Sequence, residues 1–168
     1  MGKMSNIILI GMPGAGKSTI GVLLAKALNY AFIDTDLIIQ NKTGKRLYEI
    51  IEEQGINEFL NIENETLKNV EVDKTVIATG GSAVFGKEAM EHLKKNARVV
   101  YLKLGCEEVV RRVKNITTRG IAMQKGESLQ DIYEERAPLY DKYADITVEC
   151  EGTTIEECVE KIVKLLYI

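Results

Sequence analysis

The residues best equipped for chemistry are gathered in one run, Gly11-Met12-Pro13-Gly14-Ala15-Gly16-Lys17-Ser18-Thr19. Glycines at 11, 14 and 16 let backbone N–H groups turn inward around an anion, a curvature that side chains would obstruct. Lys17 is a point charge that can bridge two phosphates, and Ser18 offers a hydroxyl of the kind that ligates Mg2+. The apolar run Asn6–Ile10 precedes this stretch and the amphipathic run Thr19–Leu28 follows it. That is the strand-loop-helix context the pattern needs, with the positive end of the helix aimed at the anion. In a chain of 168 residues the four fixed positions would coincide by chance with a probability of roughly 0.01 or less. Gly14, Ala15, Gly16, Lys17, Ser18 and Thr19 are therefore candidate contacts for a nucleoside triphosphate, with ATP expected.

Moving a phosphoryl group also needs a metal, a positioned acceptor and cations for the charge that shifts. Phe32-Ile33-Asp34-Thr35-Asp36 reads as the end of a strand. In an open parallel sheet the carboxyl ends of strands meet the ligand crevice, so both aspartates should face the phosphate loop. Asp34 could hold Mg2+ through water, and Asp36, farther out, could take a proton from a hydroxyl. A helix N-cap accounts for one aspartate but not for both. Thr75–Thr79 runs into Gly80-Gly81-Ser82, where paired glycines allow close approach of a ligand or make a plain tight turn. Arg119 is placed to neutralise transferred charge, and Arg112 could stack on the adenine. Arg136, beside Glu135, reads from local sequence alone equally well as a surface ion pair.

The elements that must position these groups alternate apolar runs with runs of helical period, which predicts an α/β layered domain with a parallel sheet. Five strands are expected: Asn6–Ile10, Ala31–Asp34, Thr75–Thr79, Arg98–Leu104 and Ile146–Cys150. The first helix should set Ile20, Leu23, Leu24, Ala27 and Leu28 against that sheet. Asp36 to Val70, punctuated by Gly44 and Gly55, is too long for a bare crossover and predicts a helical substrate-binding insertion. Residues 117–127, between a helix over Glu107–Ile116 and one starting near Ser128, read as a lid that closes over phosphates. Thr153 to Glu156 reads as a capping box for the last helix. With no repeat or linker, residues 1–168 are expected to form a single domain.

A net charge of −3 argues against general attraction to nucleic acid or an anionic membrane. No apolar run is long enough for a signal peptide or a bilayer span, so a cytoplasmic protein, and a monomer, is expected. Cys106, Cys150 and Cys158 form no CxxC pair, and His92 is the single histidine. Reduced structural thiols and a solvated surface histidine are the expected roles.

Taken together, GMPGAGKST, the Asp34-Thr35-Asp36 triplet, Gly80-Gly81, Arg119 and the run Arg136-Ala137-Pro138-Leu139-Tyr140 resemble the shikimate kinase family of small P-loop kinases over essentially the whole chain. The resemblance implies a three-layer P-loop kinase fold, five parallel strands, and ATP-dependent, Mg2+-assisted conversion of shikimate to shikimate 3-phosphate. It gives Asp36 the acceptor hydroxyl, Arg136 the acceptor carboxylate and Gly81 a backbone contact. This chain departs from the family pattern at Leu60, where a second carboxylate-binding arginine belongs, at Ser82 in place of a third glycine, and at Gly120 in place of a proline. Glu151-Gly152-Thr153 replaces the usual arginine beside the adenine. Leu60 and Ser82 thereby become candidate contacts of an altered acceptor pocket, and Lys87 and Arg46 are candidate replacements for the lost cation. The alternatives are a related phosphotransferase acting on another small polyol or hydroxy acid, and a catalytically silent nucleotide-binding protein.

Overall fold

The computed structural model describes residues 5–113 and 121–167. Strand β1 (Asn6–Ile10) is buried along its whole length, as a strand covered on both faces must be. It lies at the centre of a five-stranded sheet with β2 (Ala31–Asp34), β3 (Thr75–Ala78), β4 (Ala97–Lys103) and β5 (Ile146–Glu149), in the order β2-β3-β1-β4-β5. Every pairing is parallel, with Ile8 opposite Ile77 on one side and Val99 on the other. Each expected strand is present, with ends displaced by no more than one residue.

Helix α1 (Lys17–Leu28) packs on β3 and on α8 (Ile155–Leu166). Between β2 and β3 lie α2 (Thr35–Thr43), α3 (Leu47–Gln54) and α4 (Ile56–Lys68), the expected helical insertion. Its two glycines do what the reading required: Gly44 ends α2 with φ 71°, and Gly55 separates α3 from α4 with φ 87°. α4 packs on α5 (Lys87–Lys94), and α6 (Cys106–Val113) on α7 (Leu129–Tyr143), so that helices cover both faces of the sheet. The main core runs through β1, β3, β4 and their helices, where full burial of a side chain such as Leu24 or Ile77 is worth about 1.5–3 kcal/mol. A second cluster, Ile39, Leu47, Ile50, Phe59 and Ala122, joins the insertion to the segment just after residue 120.

Three expectations need correction. Ala27 is exposed, and α1 instead turns Ile20, Gly21, Leu24 and Ala25 inward, because the helix meets both the sheet and α8. The cap of α8 is Thr154, whose hydroxyl accepts from the Glu157 N–H, while Thr153 donates to the Cys150 carbonyl and closes the preceding turn. His92 is half-buried: its Nε2 lies 2.8 Å from the Val70 carbonyl and 3.2 Å from Glu71, tying α5 to the segment that leads into β3. The three cysteines form no disulfide. Cys150 and Cys158 are buried, with their sulfurs 3.0 Å apart between β5 and α8. Among the described residues no helix is long and apolar enough to cross a membrane.

Candidate active site

The glycine-rich run leaves the carboxyl end of β1 and enters α1 through Gly16, whose φ of 90° lies in the left-handed region that glycine adopts without cost. Lys17 is buried, and its ammonium donates to the carbonyls of Gly11 at 2.7 Å and Met12 at 2.9 Å. The cation is thus held inside the loop, next to the N–H groups at the amino end of α1. Arg112 reaches over the same loop from α6, donating to the Gly14 carbonyl at 3.2 Å while paired with Glu108.

Ser18 and Asp34 come together from α1 and β2, the hydroxyl donating to Oδ2 at 2.7 Å. The other oxygen of Asp34 caps α2, accepting from the N–H groups of Asp36 at 2.9 Å and Leu37 at 3.4 Å. Capping is therefore the work of Asp34, and α2 does not need the Asp36 carboxylate for it. Asp36 turns toward the end of β3, where a Cβ on Gly80 would lie 2.6 Å from its Oδ1.

Below these groups is a buried polar floor. Arg136 on α7 is 2% exposed, donates through Nη2 to the Ala122 carbonyl at 2.6 Å, and lies 5.5 Å from the centre of the Phe85 ring. Its surface ion-pair reading does not hold, because the register of α7 turns it inward with Ile132 and Tyr140 while Glu135 faces solvent. A Cβ on Gly81 would lie 2.9 Å from Arg136 Nη1 and from Pro13, so glycine is what lets the backbone approach the guanidinium. Tyr140 fixes that backbone by donating to the Gly81 carbonyl at 2.6 Å.

Glu63, on the buried face of α4, accepts from the Ser82 hydroxyl at 2.7 Å. Burial, with the charge of Asp36 adding to it, pushes its carboxyl up to about 7 against the lowering effects of Ser82, Arg136 and Lys17. Sequence reasoning gave Glu63 no task of its own. The available signal was its position: Phe59, Glu63, Thr66 and Leu67 recur at helical spacing, so an acid stands on an otherwise inward face.

One cavity of about 370 Å³ gathers Gly14, Gly16, Lys17, Ser18, Thr19, Asp34, Asp36, Gly81, Ser82 and Arg136 along its walls. Thus most of the residues picked out from sequence converge. Ala15 packs into the core instead, and Leu60 leans on the second apolar cluster rather than lining the cavity. Arg119 and Gly120 lie outside the described residues. Arg46, Leu47 and Phe59 line the cavity as well, and of these only Arg46 carries charge. Among the described residues no cluster of three or more His, Cys, Asp or Glu side chains could hold a metal by itself. The Ser18–Asp34 pair nevertheless supplies the hard oxygen donors that Mg2+ takes when phosphate oxygens and water complete its shell.

Comparison with known proteins places this arrangement. The family model described as shikimate kinase matches residues 13–167. The chain is 38% identical over 164 residues to a shikimate kinase of Thermodesulfovibrio yellowstonii, covering 96% of this chain and 94% of that one. It is 39% identical over 163 residues to one of Clostridium botulinum, covering 96% and 97%. Among solved structures, shikimate kinase from Acinetobacter baumannii in complex with shikimate superposes with a TM-score of 0.90 at 32% identity, covering 98% of this chain and 93% of that one. A gluconokinase from Sinorhizobium meliloti, at 17% identity and a TM-score of 0.51 with 99% and 98% covered, shares the fold alone.

Proposed function

This chain belongs to the shikimate kinase family, and we propose a division of labour among the residues of its cavity. The protein is an ATP-dependent phosphotransferase acting on a hydroxyl, and its reaction is the phosphorylation of shikimate. The backbone of Gly14 to Thr19 and the Lys17 ammonium hold the triphosphate. Mg2+, held by Ser18 and through water by Asp34, would neutralise charge on the phosphate oxygens when bound. Asp36 orients the acceptor hydroxyl and takes its proton as the oxygen attacks the γ-phosphorus. The new O–P bond forms as the bond to the β–γ bridging oxygen breaks, and ADP leaves. Arg136 and the backbone of Gly81 bind the acceptor carboxylate, while Ser82 lines the acceptor side. Arg112 and Arg119 are assigned to the nucleotide side. Residues 117–127 are assigned the closing lid, and Arg136 holds Ala122 within it by donating to that residue's carbonyl.

The observation that carries this reading is that Asp36 and Arg136 share one cavity with Lys17 and Ser18. A hydroxyl at Asp36 and a carboxylate at Arg136 then place a hydroxy acid next to the phosphates. The test is coupled ADP release with Mg-ATP and shikimate, with gluconate as a comparison acceptor and mass spectrometry of the product. Shikimate-dependent ADP release with one phosphoryl group added to the acceptor is expected, and no release with shikimate would overturn the reading. We assign the activity to a cytoplasmic monomer that does not engage nucleic acid, and light scattering of the purified chain checks the monomer.

A further inference from the structure

The acceptor assigned above carries a carboxylate, and a single buried arginine is a poor match for it. Arg136 already spends Nη2 on the Ala122 carbonyl and lies 5.5 Å from the centre of the Phe85 ring. Leu60 adds no cation and does not line the cavity. Lys87, at the first position of α5, does not line it either. Arg46 does, from the N-cap position of α3. Its side chain makes no capping bond, and no hydrogen bond or ion pair involving it is found among the described residues. The neighbouring Lys45 is paired with Glu53 and so does not compete for the cavity. An exposed guanidinium with no acid on it among the described residues, at the edge of a cavity whose floor is a second guanidinium, is arranged to receive an anion from two sides.

We propose that Arg46 is the second cation for the acceptor's carboxylate, reaching it from α3 as Arg136 holds it from α7, and so determines specificity for an anionic acceptor. The inference rests on the reading of the acceptor given above. A planar fork suits this task, because two parallel N–H donors match two carboxylate oxygens.

Initial rates for wild type, Arg46→Ala and Arg46→Lys, with shikimate and with its methyl ester as substrate or competitor, test the assignment. Arg46→Ala should raise the KM for shikimate about 10-fold or more, the size expected for a lost charge-assisted pair. ATP KM and the apparent affinity for the uncharged ester should stay within about twofold and Tm within about two degrees, and Arg46→Lys should recover part of the loss. An unchanged shikimate KM in Arg46→Ala, or an equal rise for the ester, would overturn the role of Arg46 while leaving the enzyme reading intact. Absence of any shikimate turnover by wild type would instead remove that reading, and this inference with it.

Discussion

The Ser82 hydroxyl donates to Oε1 of Glu63 at 2.7 Å, linking the turn after β3 to the inward face of α4. Oε2 of the same carboxyl is buried with no hydrogen-bond partner among the described residues. An acid half-satisfied in this way is easier to bury protonated than charged, which is why its carboxyl sits near neutrality.

That relationship makes stability depend on pH. Because the folded carboxyl is raised from 4.5 to about 7, the folded state holds a proton that the unfolded state releases, and stability falls as pH rises through this window. The full cost to the ionised folded state is on the order of 3 kcal/mol. Urea unfolding from pH 4.5 to 8 should show wild type losing stability up to about pH 7 and then levelling, with Glu63→Gln losing less. A stability difference between the two proteins that stays flat over that range would show that Glu63 does not titrate there.

Lys17→Ala should weaken Mg-ATP binding by about 10-fold or more, because the loop loses its buried cation and the two carbonyls it gathers lose their donor. Shikimate affinity, read separately by calorimetry, should change little. Undiminished ATP binding would remove Lys17 from the phosphate site.

For Asp36→Asn, turnover should drop by on the order of 100-fold or more with ATP affinity preserved. Since Asp34 caps α2, the thermal midpoint should move by no more than a few degrees. A variant that unfolds would reveal a structural task for Asp36, and one that turns over normally would show that it is not the base.

Leu60→Arg tests the apparent gap in the acceptor pocket. Leu60 is half-buried against the cluster of Ile39, Leu47, Ile50 and Phe59, so an arginine there must pull charge across apolar surface. The substitution should lower Tm by several degrees and leave shikimate KM within about threefold. A gain of about 10-fold in shikimate affinity would mean that position 60 does face the acceptor and that the pocket lacks a second cation.

Much of this was legible in the chain, for reasons that differ by residue. The strands were readable because a fully buried parallel strand needs an unbroken apolar run, and Asn6–Ile10 has little else to become. The phosphate loop was readable because its conformation depends on glycine at fixed steps within a few residues. Asp34 and Asp36 were placed together by a rule about strand ends, yet which one caps the helix is decided by a rotamer choice that spacing cannot reveal. Arg136 and Glu63 were the least legible from local sequence. Both are buried ionisable side chains whose surroundings come from α4, α7 and the turn after β3, parts of the chain far apart in order. Only the family likeness gave Arg136 its task. Ala27 and Thr153 missed for a smaller reason, a one-residue rotation at the edge of a helical face or cap.

The central place of β1 reaches beyond catalysis. Its partners are Val76–Ala78 on one side and Ala97–Tyr101 on the other, far along the chain from the glycine-rich run they shape. A polypeptide emerging from the ribosome therefore displays that run long before it owns a cradle, and the loop-closure entropy of two distant pairings must be met first. Nucleotide can then recognise only the finished article. At a hundred times its dissociation constant it would deepen the folded well by about 2.7 kcal/mol, shielding mature molecules from proteases while truncated or half-made ones gain nothing.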